Sequence, residues 1–212
     1  MERIPGLAFE RAAWEQGHRL IVGIDEAGRG AWAGPVVAAA VVLPSPDDAL
    51  LQRLTGVRDS KLLSAAQRER CYGDIVAVAR AVGVGLVDAA VIDAMGIVPA
   101  TRAAMLQAVE QLRLSPDHYL IDALSLPVNA TQCSLIKGDR RCLSIAAASI
   151  VAKVTRDRWM ISRDDDWPAF GLARNKGYGT PEHRQALDLH GPTAIHRYSY
   201  MPVRLAAEAH HG

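Results

Sequence analysis

Long apolar runs, paired cysteines and surplus charge are all missing from this 212-residue chain, and each absence removes a class of protein. No hydrophobic stretch approaches the roughly 20 residues that a membrane-crossing helix needs. The N-terminal residues 1–17 mix charged with apolar side chains and form no leader-like hydrophobic block. The cysteines, Cys71, Cys133 and Cys142, are odd in number, scattered and without Cys-x-x-Cys spacing. That argues against a disulfide framework or a zinc site and for a reducing compartment, so the expectation is a cytoplasmic protein with no membrane partner. The formal net charge of +1 gives no chain-wide basic footprint, so any nucleic-acid surface must be local. Internal repeats and low-complexity linkers are absent too.

What is present is enough apolar sequence, 50% of residues against 22% charged, for one sizeable core. The expected organisation is a single domain over 1–212, with a core over about 18–165, a helical part over about 166–204 and a frayed tail at 205–212. A short helix is predicted over 8–17 and a first strand over about 19–25. A second strand over 34–43 is apolar on both faces. The link between them is too short for a helical crossover, which predicts an antiparallel pair. Ser64 caps a helix over 65–80, a glycine-bearing strand follows at 82–87, and two helical pieces over 88–95 and about 99–113 break at Gly96. Apolar strands are predicted at 119–122 and 133–136, a long helix at 144–163, and a helix opening with Thr180 and Pro181. The order implies an α/β fold with a mixed central sheet and helices on both sides.

The stretch Gly23-Ile24-Asp25-Glu26-Ala27-Gly28-Arg29-Gly30 organises this plan. A buried strand ending on two carboxylates is costly unless the charges are paired or hold a cation. The plain alternative is a turn in which Arg29 pairs with the acids. Against it, Tyr119-Leu120-Ile121-Asp122 repeats the pattern, and Cys133-Ser134-Leu135-Ile136 leads into Lys137-Gly138-Asp139. Asp25, Glu26, Asp122 and Asp139 would repel one another unless neutralised. All-oxygen donors suit hard ions, Mg²⁺ or Mn²⁺. Since alternation would turn Asp25 and Glu26 to opposite faces, Glu26 is expected just past the strand's last regular residue.

These motifs, with Ala33-Gly34-Pro35-Val36-Val37-Ala38, Asp59-Ser60-Lys61, Ser144 through Asp157, Lys176-Gly177-Tyr178-Gly179-Thr180 and His196-Arg197, occur in an order that resembles bacterial ribonuclease HII. The resemblance implies a ribonuclease H-like fold with a helical C-terminal part. It implies cleavage of the RNA strand of RNA–DNA hybrids and incision 5′ of single ribonucleotides embedded in duplex DNA, leaving 3′-hydroxyl and 5′-phosphate ends during ribonucleotide removal in replication and repair. Asp25, Glu26 and Asp122 become metal ligands in a two-metal hydrolysis, with Asp139 as a fourth catalytic acid. Gly28-Arg29-Gly30 approaches the ribonucleotide through its backbone, and Tyr178 reads the 2′-hydroxyl and stacks on the sugar. The chain departs from the usual pattern at Ala31-Trp32, commonly Pro-Leu, at Ala123, commonly glycine, and at Asn175, commonly histidine.

Of the basic residues 137, 140, 141, 153, 156, 158, 174, 176 and 184, Lys153 and Lys176 are the chosen phosphate contacts, the others being weighed against a solvated helix face. Lys61 is open between a backbone contact and a local ion pair. His183, His190 and His196 are read as structural. A binding protein that has lost catalysis, or a nuclease acting on all-DNA duplexes, would share many of these features. Nothing in the chain requires more than a monomer.

Overall fold

A computed structural model describes residues 4–211. Residues 1–3 and 212, the last of them in the tail expected to fray, lie outside the described residues. The chain runs α1 (Ala8–Glu15), β1 (Ile21–Ala27), β2 (Val36–Val42), α2 (Asp48–Arg53), α3 (Ala65–Val78), β3 (Ala81–Val87), α4 (Ala89–Met95), α5 (Ile97–Gln111), β4 (His118–Asp122), β5 (Thr131–Leu135), α6 (Leu143–Ser162), α7 (Leu172–Asn175), α8 (Pro181–His190) and α9 (Met201–His211). Tight single-turn helices cover Ser60–Leu62, Gly138–Arg140 and Pro168–Phe170. No helix among the described residues is long and apolar enough to cross a membrane.

The five strands form one mixed sheet in the order β3-β2-β1-β4-β5. β1 and β2 are antiparallel, as their short connection requires, and so are β2 and β3. β1, β4 and β5 run parallel, so their carboxyl ends leave the sheet at one edge. Every residue of β2 is buried, consistent with its place between two strands. Its alternate side chains serve two cores. Val36, Ala38, Ala40 and Val42 face α5, with Ile92 and Met105, while Ala39 and Val41 pack with α3 and α6. The small side chains of α6 let it lie very close to the sheet. A Cβ on Gly23 of β1 would stand 2.2 Å from the Ser144 carbonyl carbon, so a larger residue there would force α6 away.

Local sequence explains the helix starts. Ser64 and Gln67 form a reciprocal capping box on α3, Asp47 and Asp88 cap α2 and α4, and Thr180 caps α8 with Pro181 in its first turn. α6 is capped from a distance, its Ser144 N–H donating to the buried Glu10 Oε1 of α1 at 2.8 Å.

Three expectations need correction. β1 runs on to Ala27, and Glu26 still pairs with Ala38, so Glu26 lies inside the ladder rather than beyond it. β5 is no apolar core strand but an edge strand, exposed over most of its length, and Ile136 beyond it is exposed. Residues 205–211 are not frayed. They belong to α9, which buries Val203 and Ala206 against Phe170, Leu172 and Leu187, because Val203 and Ala206 lie three apart on one helix face.

Ala123, directly after Asp122, has φ of 52°, a left-handed conformation that strains any residue with a Cβ. Ala123→Gly should therefore stabilise the protein by about 0.5–1 kcal/mol, read as a higher urea midpoint at unchanged m-value.

Candidate active site

The parallel arrangement places the acids. β1 and β4 pair up to Ile24 opposite Ile121, so Asp25 and Asp122 follow at the same level on neighbouring strands. Pleat alternation puts Asp25 on the α6 side with Gly23, and Asp122 on the same side with Leu120. Asp139 arrives from the turn after β5, where the Gly138 N–H donates to Asp122 Oδ1 at 2.6 Å. Glu26, held in the ladder, falls on the other pleat face, where its Oε1 accepts from Arg29 at 3.2 Å. Its Oε2 is buried with no hydrogen-bond partner.

Burial and mutual repulsion mark these groups. Asp25 is 5% exposed. Burial, then the charges of Glu26 and Asp122, hold its carboxyl well above the ordinary range, against hydrogen bonds from Ser149 and the Glu26 backbone. Burial also raises Glu26, and Arg29 opposes the rise. Asp139 is pushed up to about 6 by burial and by the Asp59 and Asp122 charges, with Lys61 and Arg140 opposing. Among the described residues, no three or more His, Cys, Asp or Glu side chains stand closed into a metal cage. The donor set still fits a hard divalent cation. It is all oxygen, it is held in repulsion at one sheet edge, and it includes a buried carboxylate oxygen without a partner. Such ions keep water and take few carboxylates from protein.

The Gly28-Arg29-Gly30 turn lies beside the acids. Gly28 has φ of 92°, and a Cβ there would sit 2.0 Å from Arg156 Nε, so only glycine fits. Gly30 is exposed and nothing stands within 4 Å of a Cβ placed on it, leaving its backbone open to a ligand. The Arg29 carbonyl accepts from Arg197 Nη1 at 3.0 Å and from the Tyr200 hydroxyl. Tyr178 is half-buried on a loop whose preceding residues, Lys176 and Gly177, both have positive φ. Its ring lies 5.3 Å from Lys153 Nζ and 5.2 Å from the Arg156 guanidinium carbon. The Gly177 carbonyl accepts from Trp32 N at 2.8 Å and Ala33 N at 3.2 Å, joining the Tyr178 loop to the chain just after the glycine turn.

The lysines chosen for phosphate contact are already engaged. Lys153 pairs with Asp157 at 2.7 Å, and Lys176 Nζ donates to the Ala173 carbonyl. Both line a groove of about 440 Å³ with Arg68, Arg158, Arg174 and Tyr178, which contains none of the four acids. Arg156 is not a surface cation. It is fully buried, donating to the carbonyls of Pro35, Ala33 and Lys176 at 2.9, 3.0 and 2.9 Å.

Several residues escaped the sequence reading. Asp59 is 1% exposed and holds Arg140 at 2.9 Å, anchoring the turn that carries Asp139. The Ser60 hydroxyl lies 3.0 Å from that of Ser149, which bonds Asp25. The motif Asp59-Ser60-Lys61 drew attention only for its lysine. Arg156 had a legible signal, since it follows buried Ser149 and Ala152 at helical spacing.

Comparison with known proteins identifies the family. The model of the family described as Ribonuclease HII matches residues 22–203. A ribonuclease HII of Chloroflexus aurantiacus is 52% identical over 201 residues, covering 94% of this chain and 95% of the relative. One from Bacillus subtilis is 48% identical, over 93% of this chain and 75% of its own. The crystal structure of ribonuclease H2 from Pyrococcus horikoshii OT3 superposes with a TM-score of 0.74 at 28% identity, over 89% of this chain and 97% of that one. At 20% identity, a Bst-RNase HIII solved with Mn²⁺ shares the fold, with a TM-score of 0.71 over 95% of this chain and 73% of its own. With four acids at one sheet edge and a glycine turn beside them, the chain belongs to the ribonuclease HII family and is a nuclease of the ribonuclease H type.

Proposed function

We propose that this protein cleaves the RNA strand of RNA–DNA hybrids and incises 5′ of single ribonucleotides embedded in duplex DNA, leaving 3′-hydroxyl and 5′-phosphate ends. The observation that supports this most directly is the pairing of mutually repelling carboxylates with an exposed glycine backbone at one sheet edge. The whole chain serves as one catalytic unit, and it acts as a monomer.

Asp25, Glu26 and Asp122 would hold Mg²⁺ or Mn²⁺, and Asp139 completes the acidic set. When bound, the divalent ions supply an activated water and charge neutralisation at the leaving oxygen. The protein contributes placement. Asp122 is oriented by the Gly138 N–H, Asp25 by Ser149 and the Glu26 backbone N–H, and Asp139 by the turn that Asp59 anchors through Arg140. Gly28-Arg29-Gly30 presents main-chain groups to the sugar, where a 2′-hydroxyl both donates and accepts, and Tyr178 closes on the same sugar. Lys153 and Lys176 support phosphate contact through the groove beside Tyr178, once Lys153 exchanges Asp157 for a phosphate.

Asp25→Asn should reduce cleavage of a duplex carrying one ribonucleotide by at least about 100-fold while binding, read by fluorescence anisotropy, stays within a few-fold. Loss of cleavage in the parent protein with binding intact would support a binding protein instead, and equal cutting of all-DNA duplex a different nuclease. Tyr178→Ala should lower kcat on the single-ribonucleotide duplex by about 10–100-fold.

The repulsion at Asp139 has a thermodynamic signature. Its folded pKa of about 6 lies above the ordinary aspartate value of 3.8, so the native state binds more protons between those values. Its ionisation therefore costs stability as pH rises through about 6, and that cost vanishes below about 4. In chelator-containing buffer, Asp139→Asn should raise the melting temperature at pH 8, by on the order of 2 kcal/mol of stability, and the gain should fade by pH 4.

A further inference from the structure

Two buried histidines lie edge to edge behind the Tyr178 loop. His183 sits in the first turn of α8, and His196 in the turn between α8 and α9. Their Nε2 atoms are 3.0 Å apart. The neighbouring donors and acceptors leave only one arrangement of protons. The Thr193 backbone N–H can only donate, and it meets His196 Nδ1 at 3.0 Å. His196 must therefore carry its proton on Nε2, where it donates to His183 Nε2. That atom must then be a bare acceptor, so His183 carries its proton on Nδ1. His183 Nδ1 faces the Tyr178 carbonyl at 3.0 Å, and a carbonyl can only accept. Both rings must be neutral, since an added proton would set one donor against another. Burial acts the same way, lowering both histidines and holding His196 down at about 3.

We propose that His183 and His196 are positioning residues that fix the Tyr178 main chain through this one-way chain of hydrogen bonds, so that the phenol meets the ribose in register. The inference rests on the reading of Tyr178 as the residue that contacts the sugar. The relay is rigid at both ends. The Tyr178 carbonyl also accepts from Thr180 N at 2.8 Å, at the cap of α8. The His196 ring packs against Phe170 with centroids 4.7 Å apart, and His183 against Trp32 at 5.7 Å. Arg197, the next residue, holds the Arg29 carbonyl at 3.0 Å. One short segment thus sets both elements expected to face the ribonucleotide.

The test separates position from stability. His183→Phe keeps the ring and removes the donor to Tyr178. His183→Asn keeps a donor near the Nδ1 position but abandons His196. On a duplex with one ribonucleotide, in Mn²⁺, His183→Phe should lose about tenfold in kcat with KM within about twofold. His183→Asn should recover most of kcat while its urea midpoint is no higher than that of His183→Phe. Equal loss in both, following stability, would overturn the proposal. Tyr178→Ala is run alongside. If it is impaired while both His183 variants are fully active, the relay fails alone, and if it is fully active the reading of Tyr178 fails and the relay's role with it. An independent check needs no variant to fold: ¹⁵N spectra of histidine-labelled wild-type protein at pH 7 should contain one buried ring protonated at Nδ1 and one at Nε2. Two rings of the same tautomer would sink the assignment.

Discussion

Like charge confined at the end of three parallel strands is the constraint on which the rest of this structure depends. Asp25, Asp122 and Asp139 reach one edge because β1, β4 and β5 run the same way and lie side by side. The sheet's packing leaves this edge partly dry, and burial with like charge holds the Asp25 and Asp139 carboxyls above their ordinary range. Nothing in the hydrophobic core asks for that. The folding energy of two well-packed sheet faces is spent, in part, on keeping acids together that would separate in water. A hard divalent cation held there, as proposed, would relieve that repulsion.

The architecture was largely legible. Period, capping residues and connection length identify most elements and the antiparallel β1–β2 pair. The misreadings have physical causes. Alternation turns Asp25 and Glu26 to opposite faces, which places Glu26 past the end of β1 if the two acids are to converge; the strand instead continues through Glu26, which keeps the other pleat face. The α9 helix is hard to read because few of its apolar positions are buried, Val203 and Ala206 against exposed Met201 and Leu205, and its stability comes from a distant cluster around Phe170 and Leu187.

The site was legible as chemistry and opaque as support. Carboxylates, glycine turn and tyrosine announce themselves by residue type. The groups that hold them do not. Arg156, one of the basic residues weighed for phosphate contact, and Arg197 are both wholly buried and donate to backbone carbonyls of the loops around the site. A guanidinium suits this work because its fork satisfies several carbonyls at once where no regular ladder exists. Lys153 and Lys176 stand out by charge, but no local pattern shows that an aspartate and a carbonyl engage them. Such partners come together only in three dimensions, and no local pattern encodes them.

The order in which the molecule is synthesised gives the His196-Arg197 pair a further meaning. All four acids, and the strands that carry them, leave the ribosome well before residues 190–200. A nascent chain can therefore assemble its acidic edge early, while the glycine turn and the tyrosine loop remain without their anchors. On the proposed function, recognition of the sugar then matures last, when residues 190–200 dock, and cleavage competence comes after the sheet that bears the acids has formed.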